Sequence, residues 1–320
     1  MDKSAMAYKI LVSDGLSEDG LTLLRGAGEV TVNPKITADE LLAALPDYHA
    51  LVVRSRTKVT AKVADAGKNL KVIGRAGVGV DNIDVAAAIA RGIAVVNSPL
   101  AASVAVAEHT LGLMLALARH IPAADASMKQ DKWEKSAFMG VELNRKTLGL
   151  LGIGRIGAEV ARRAAAFGMS VLAYDPYLNA DQIRARGAEP ASFDDVIARS
   201  DYVSMHLPLT SETRGMLSAD HFAKMKKGAR LICAARGGVI DEEALKAALD
   251  SGQLAGAALD VFAAEPPPAG SIAAHPKVIA TPHVGAQTHE AQSYAGVMIA
   301  EEVLAVLQGK EPRWRVTSNE

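Results

Sequence analysis

The chain has 320 residues, enough for about two domains, and 49% of them are apolar, enough for substantial cores. Its 35 Lys and Arg against 36 Asp and Glu leave a formal net charge of −1, which excludes a general attraction to nucleic acid or to anionic membrane. Aromatic residues, at 4%, are too few for a base-stacking surface, and the single cysteine, Cys233, excludes an intrachain disulfide and fits the reducing cytoplasm.

The N-terminal stretch has no signal-peptide pattern, since its apolar run Ile10-Leu11-Val12 is far too short. Through the first hundred residues short apolar runs alternate with helical patterns. Strands are expected at 9–13, 29–32, 50–53, 70–73 and 94–97, and helices at 18–26, 38–45, 59–66 and 85–91. Such alternation predicts a parallel sheet with helices on both faces. Two of these strands run into Arg54-Ser55-Arg56-Thr57-Lys58 and Arg75-Ala76-Gly77-Val78. Clustered cations at adjacent strand ends suit a phosphate of charge near −2, although solvated charges beside a turn would look the same. The N–H groups of residues 76–78 offer further contacts to a carboxylate.

Pro99 closes this run. A long helix is expected at 102–119, apolar around most of its circumference and so buried. Its apolar core carries Glu108 and His109 and is too short to span a bilayer, so no membrane association is predicted. Pro122 is expected to end it, with an extended arm carrying Trp133 and Phe138 beyond.

A second alternating series starts at Lys146. The buried strand 146–151 runs into Gly152-Ile153-Gly154-Arg155-Ile156-Gly157, a helix at 158–167 follows, Gly168 stops it, and a strand at 170–174 ends on Asp175. In this setting Gly152 makes the tight turn, Gly154 lets backbone approach a pyrophosphate, and Gly157 lets helix pack on strand. The helix N-terminus offers free N–H groups and a positive dipole end. Asp175 is spaced to bind the adenosine ribose hydroxyls and would repel a 2′-phosphate, which predicts NAD, not NADP. Further strands are expected at 202–205, 230–234, 256–259 and 278–280, helices at 220–225 and 242–250, and a final helix at 288–308. No metal site is read from the sequence.

Three clusters follow the cofactor unit, each at a strand end. Arg236, flanked by Ala235 and Gly237, is placed to grip a carboxylate and polarise a carbonyl. Asp260 precedes a loop holding Glu265, which taken alone reads as a solvated acid. His283 follows Thr281-Pro282 and alone is as readily structural. Together, Arg236, Glu265 and His283 form the set that proton transfer on a bound acid requires.

These motifs, with Ala107-Glu108-His109-Thr110, Phe138-Met139-Gly140-Val141-Glu142-Leu143, His206-Leu207-Pro208-Leu209-Thr210 and Ala258-Leu259-Asp260-Val261-Phe262, resemble those of the D-isomer-specific 2-hydroxyacid dehydrogenase family over about residues 9–309. The resemblance implies an α/β fold of two doubly wound parallel-sheet domains. A Rossmann NAD-binding domain (100–285) is inserted into a flavodoxin-like substrate domain (1–99 and 286–320), with ligand in a cleft at the carboxyl ends of both sheets. It implies NAD-dependent oxidation of a D-2-hydroxy acid, foremost 3-phospho-D-glycerate, with glyoxylate or hydroxypyruvate chemistry as the alternative and an NAD-sensing corepressor-like binding role as a distant one.

His283 is then the acid/base, Glu265 its partner and Arg236 the substrate grip. Gly152, Gly154, Arg155, Ile156 and Gly157 lie on the pyrophosphate and Asp175 on the ribose. Leu207, Pro208 and Thr213 wall the adenine side, and Ala234, Ala235, Asp260, Gly285 and Ala286 lie toward the nicotinamide end. Arg54, Ser55, Arg75, Ala76, Gly77 and Val78 are assigned to substrate. A homodimer through the 102–119 helix and following arm is implied. Two positions depart from the family pattern: Cys233 where Asn is usual, and Lys135-Ser136-Ala137 where the phosphoglycerate branch is richly basic. The chain also stops soon after Gly309, so no C-terminal regulatory domain, and no feedback by serine through one, is expected.

Overall fold

Side chains in the central strands of the first sheet alternate between two buried faces, which is why those strands read as continuously apolar. The structure is a computed structural model and describes residues 8–317. It divides into one unit of residues 1–102 with 287–320 and a second of residues 103–286.

The first unit runs β1 (Tyr8–Val12), α1 (Glu18–Arg25), β2 (Gly28–Val32), α2 (Ala38–Ala44), β3 (Ala50–Val53), α3 (Ala61–Ala66), β4 (Val72–Arg75), α4 (Val85–Ile89) and β5 (Ala94–Asn97). All five strands are parallel, in the order β2-β1-β3-β4-β5, which is flavodoxin-like. Leu11, Leu51, Val53, Ile73 and Val95 face a cluster with Leu41 of α2 and Val63 of α3. Ile10, Val12, Val52, Val72 and Val96 face the other way, onto Leu21 and Leu24 of α1 and Ile299, Val303 and Leu307 of the C-terminal helix (His289–Leu307). Each such side chain, fully buried, contributes roughly 1.5–3 kcal/mol. The helix starts are written in the sequence: Ser17, Thr37 and Asp84 each accept an N–H of the first turn they cap.

The second unit runs α5 (Ser103–Arg119), α6 (Ile121–Met128), β6 (Thr147–Leu151), α7 (Arg155–Ala166), β7 (Ser170–Tyr174), α8 (Ala180–Ala185), β8 (Glu189–Pro190), α9 (Phe193–Arg199), β9 (Tyr202–Met205), α10 (Ala219–Lys224), β10 (Ala229–Cys233), α11 (Glu242–Asp250), β11 (Leu254–Leu259) and β12 (Val278–Ala280). Its seven strands are all parallel, in the order β12-β11-β10-β9-β6-β7-β8. This is the doubly wound dinucleotide-binding order with one added edge strand, and the direction of winding reverses between β6 and β9. The predicted fold class, two parallel α/β sheets, is the observed one.

Several elements differ from the expectation. β4, expected at 70–73, runs from Val72 to Arg75. Pro122 does not merely end a helix. It sits in the first turn of α6, where its missing N–H costs nothing, and α6 leaves α5 at 64° through His120 at φ 54°. The arm begins only after Met128 and is not extended throughout, since Lys135–Phe138 forms a 3-10 turn. The fingerprint helix starts at Arg155, three residues before the apolar pattern shows it. The span between Asp175 and Tyr202, unassigned from sequence, holds α8, β8 and α9. Among the described residues no single helix is long and apolar enough to cross a membrane.

Candidate active site

The carboxyl ends of β6 and β9 flank the reversal point, where a parallel sheet leaves an open crevice. Gly152 turns out of β6 at φ 90°, and a side chain there would strike the His206 carbonyl. A Cβ on Gly157 would lie 2.5 Å from the Gly152 carbonyl oxygen, so helix and turn are in contact. At Gly154, by contrast, a Cβ would meet nothing within 4 Å. That glycine opens onto space beside the α7 N-terminus, as a pyrophosphate cradle requires. Arg155 is exposed and Ile156 half-buried at the start of α7. The Asp175 carboxylate, just past β7, accepts the Ile153 N–H at 3.0 Å and the Tyr177 N–H at 3.1 Å, which fixes it beside the turn. Arg186, not anticipated from sequence, donates to the Ile153 carbonyl at 2.8 Å. These residues fit a dinucleotide.

The loop after β9 is held from within. Thr213 is buried, and its hydroxyl donates to the Pro208 carbonyl at 2.6 Å and accepts the Thr210 N–H at 2.8 Å. Leu207 is buried and Pro208 exposed. His206 contacts Ser204 Oγ through Nε2 at 2.9 Å, while its Nδ1 is buried with no partner, and burial pushes its pKa down to about 4.

Small residues end β10, where Ala234 and Ala235 are buried, and Arg236 follows, half-buried, with Nη1 donating to the Ala235 carbonyl at 2.7 Å. Cys233, buried, makes a weak thiol contact to the Arg236 carbonyl at 3.8 Å, and burial raises its pKa to about 11 against the opposing N–H groups of Ala235 and Arg236.

Asp260, 1% exposed, is the hub of the next loop. Its carboxylate accepts the Thr281 hydroxyl at 2.6 Å, the Val284 N–H at 2.9 Å and the Gly285 N–H at 2.8 Å, and lies 3.4 Å from His109 Nε2. Burial works against its ionised form, but the His109, Thr281 and backbone contacts prevail and hold its pKa below the usual carboxylate value. His109 Nε2 also reaches Thr281 Oγ1 at 3.1 Å. Asp260 therefore ties β11, the loop after β12 and α5 together, and Ala286 lies half-buried just beyond.

The loop held in this way presents His283. Its backbone N–H donates to the Asp260 and Thr281 carbonyls, and it sits at φ 54°, a conformation histidine tolerates better than most residues. Its Nδ1 lies 2.8 Å from Glu265 Oε2, and Glu265 Oε1 accepts the Phe262 N–H at 3.2 Å. An ionised carboxylate only accepts, so Nδ1 carries the proton and Nε2 keeps a lone pair for a ligand. His283 and Glu265 side chains are 48% and 39% exposed, accessible to that ligand. Among the described residues no group of three or more His, Cys, Asp or Glu side chains is placed to hold a metal ion.

The cationic cluster of the first unit is smaller than its sequence suggests. Asp14, at the end of β1, accepts the Arg54 N–H at 2.7 Å, the Thr57 N–H at 3.0 Å and the Thr57 hydroxyl. Arg56 pairs with Asp14 at 3.1 Å and donates to the Ile36 and Ser13 carbonyls, so it holds the loop and is not available to a ligand. Ser55 and Lys58 are exposed. Burial lowers the Arg54 pKa against the opposing field of Asp14, yet an arginine there stays charged.

Two of the three N–H groups expected to meet a carboxylate are already used. Ala76 donates to the Val53 carbonyl and Gly77 to Ser98 Oγ, leaving Val78. Gly77 sits at φ 148°, which favours glycine, and a side chain there would also displace the Arg75 guanidinium. Asp14 and Ser98 were not singled out from sequence, and His109, quoted there within the Ala107-Glu108-His109-Thr110 motif, was given no role. Asp14 follows a strand end, the same signal that exposed Arg236 and His283.

Residues 111–285 match the family model for the D-isomer specific 2-hydroxyacid dehydrogenase NAD binding domain. The D-3-phosphoglycerate dehydrogenase of Methanocaldococcus jannaschii is 50% identical over 303 residues, covering 94% of this chain and 58% of that protein. The chain thus spans little more than half the length of the curated relatives it matches. The solved TT0316 protein from Thermus thermophilus is 37% identical with a TM-score of 0.88, over 97% of this chain and 100% of that one. A glyoxylate reductase from Paecilomyes thermophila is 30% identical with a TM-score of 0.88, over 98% and 99%. The chain belongs to the D-isomer specific 2-hydroxyacid dehydrogenase family and carries its NAD-binding domain.

Proposed function

We propose that this protein oxidises a D-2-hydroxy acid at C2 with NAD, and that the acid is 3-phospho-D-glycerate. The observation that carries the chemistry is the 2.8 Å contact between His283 Nδ1 and Glu265 Oε2, at the same sheet edge as the glycine turn. Bound NAD would supply the hydride acceptor. His283 Nε2 takes the hydroxyl proton, and Glu265 stabilises the imidazolium that results. Arg236 holds the substrate carboxylate and, in the reverse direction, polarises the C2 carbonyl. Arg54 takes the phosphate, on a backbone set by Asp14, and the Val78 N–H, beside Arg75, adds a donor for the carboxylate. Asp260 and His109 fix the loop from which His283 projects. Gly152 to Gly157 and Asp175 hold the dinucleotide, beside the small Ala234 and Ala235.

The phosphorylated substrate is supported by the phosphoglycerate dehydrogenase relatives, 46–50% identical over nearly the whole chain. Unphosphorylated acids such as glyoxylate or hydroxypyruvate form the second reading, favoured by Lys135-Ser136-Ala137 in the arm and by the likeness to a glyoxylate reductase. NADH formation with 3-phospho-D-glycerate, set beside a panel of unphosphorylated hydroxy acids, separates the two.

The same proposal includes a homodimer built on α5, α6 and the arm. Val104, Ile121, Met128, Trp133 and Met139 are 49–82% exposed in that one segment, more apolar surface than a solvated arm requires. With one cysteine, buried and free, the compartment proposed is the cytoplasm.

A further inference from the structure

A cavity of ≈ 190 Å³ opens at the amino ends of β6, β9 and β10, lined by Val141, Lys146, Asp201, Tyr202 and the turn from Lys226 to Arg230. The cofactor turn and His283 lie at the carboxyl ends of the same sheet, about 13 Å away along β6 or further. Four cations border this cavity, Lys146, Lys226, Lys227 and Arg230, against one carboxylate. Asp201 is already committed: it accepts the Thr147 N–H at 2.8 Å and pairs with Lys226 at 3.0 Å. Among the described residues no carboxylate pairs directly with Lys146, Lys227 or Arg230, so an excess of about three positive charges faces one small volume.

Tyr202 supplies the second observation. It is fully buried at the start of β9, with the Arg230 guanidinium 5.5 Å from its ring centre, and its hydroxyl has no hydrogen-bond partner. A buried hydroxyl left unpaired costs roughly 1–3 kcal/mol, which folded proteins seldom accept without a use. Burial raises the pKa of this phenol, so it remains a neutral donor. The parallel register places Arg230 beside Tyr202 on the same face of the sheet. A donor without an acceptor and cations in excess around a hollow form the complement of a tetrahedral oxyanion.

We propose that this cavity is a binding site for a phosphate group, free or as a small phosphomonoester, held by Lys146, Lys227, Arg230 and the Tyr202 hydroxyl. The site is separate from the substrate contacts proposed above and stands or falls independently of them.

The test is isothermal titration of the full chain carrying Arg54→Ala, which removes the proposed substrate-phosphate contact. Inorganic phosphate and glycerol phosphate are titrated against chloride at matched ionic strength. The expected result is saturable binding at one site per chain, weakened roughly tenfold or more by Arg230→Gln, Lys227→Gln or Tyr202→Phe. Tyr202→Phe removes one oxygen from a core position and leaves the net charge alone, so its effect separates a built site from general attraction. The tighter of the two ligands identifies the source, free phosphate or ester. No saturable binding, or affinity unchanged by all three substitutions, overturns the proposal. So does an equal loss in Lys224→Gln, an exposed lysine outside the cavity.

Discussion

His283 and Glu265 make the account testable at the level of single atoms. In His283→Ala, turnover should fall about a thousandfold while the dissociation constant for NAD stays within about a factor of two, because the imidazole moves a proton and does not hold the dinucleotide. Stopped-flow turnover beside isothermal titration with NAD reads both numbers. A second residue-scale expectation concerns His206, whose folded pKa of about 4 lies below its unfolded value of about 6.5. The unfolded chain binds the extra proton, so this residue's contribution is intact above about pH 6.5 and is lost as pH falls toward about pH 4, by about 3 kcal/mol in all. Urea midpoints across that range should decline in the parent protein and decline less in His206→Gln, whose amide needs no proton.

Single residues were legible in the sequence where a strand end announced them. Arg236 and His283 each follow a strand, the position that faces the crevice in a parallel sheet, whereas Asp260, at another strand end, is buried and spends its carboxylate on the loop after β12 and on His109. Arg56 misled for the same reason, because sequence cannot show that a guanidinium is consumed by Asp14 and two carbonyls. The N–H groups of Ala76 and Gly77 misled likewise, their partners Val53 and Ser98 lying far back and far ahead in the chain.

At the element scale β3, β5, β7, β9 and β12 were delimited to the residue. β4, expected at 70–73, lies two residues later at Val72–Arg75, because Leu70 is as apolar as the strand and the buried Gly74 and the half-buried Arg75 do not read as apolar. The two missed helices share another cause, which is shortness of signal. α8 and α9, six and seven residues long, complete about two turns each and show little of a helical period; they are fixed by capping at Asn179 and Ser192 and by burial of Ile183, Val196 and Ile197. Proline at the start of α6 reads as a stop, though its geometry serves a first turn equally well. The glycine fingerprint belongs to this scale, because it joins two elements. Gly157→Val should push α7 from the turn, since even a Cβ approaches the Gly152 carbonyl oxygen to 2.5 Å. NAD affinity should drop at least about tenfold and the melting temperature by several degrees. A melting loss with unchanged affinity would detach the turn from the cofactor.

At the scale of the whole molecule, residues 103–286 form one unit and residues 1–102 with 287–320 the other. The insertion of one domain into the other remains a proposal, drawn from a fingerprint that falls in the middle of the chain and a final long helix expected to return to the first domain. The proposed assembly rests on the exposed apolar residues of α5, α6 and the arm. Sedimentation at micromolar concentration should give twice the 33.4 kDa chain mass, and Trp133→Ser with Met139→Ser should shift it toward the monomer.

The substrate is decided by one ratio. Initial rates of NADH formation with 3-phospho-D-glycerate and with D-glycerate give kcat/KM for acids that differ only in the phosphate. The account predicts a preference of about a hundredfold or more for the phosphorylated acid, reduced at least about tenfold by Arg54→Ala. Equal rates with the two acids, or a preference untouched by that substitution, would contradict it.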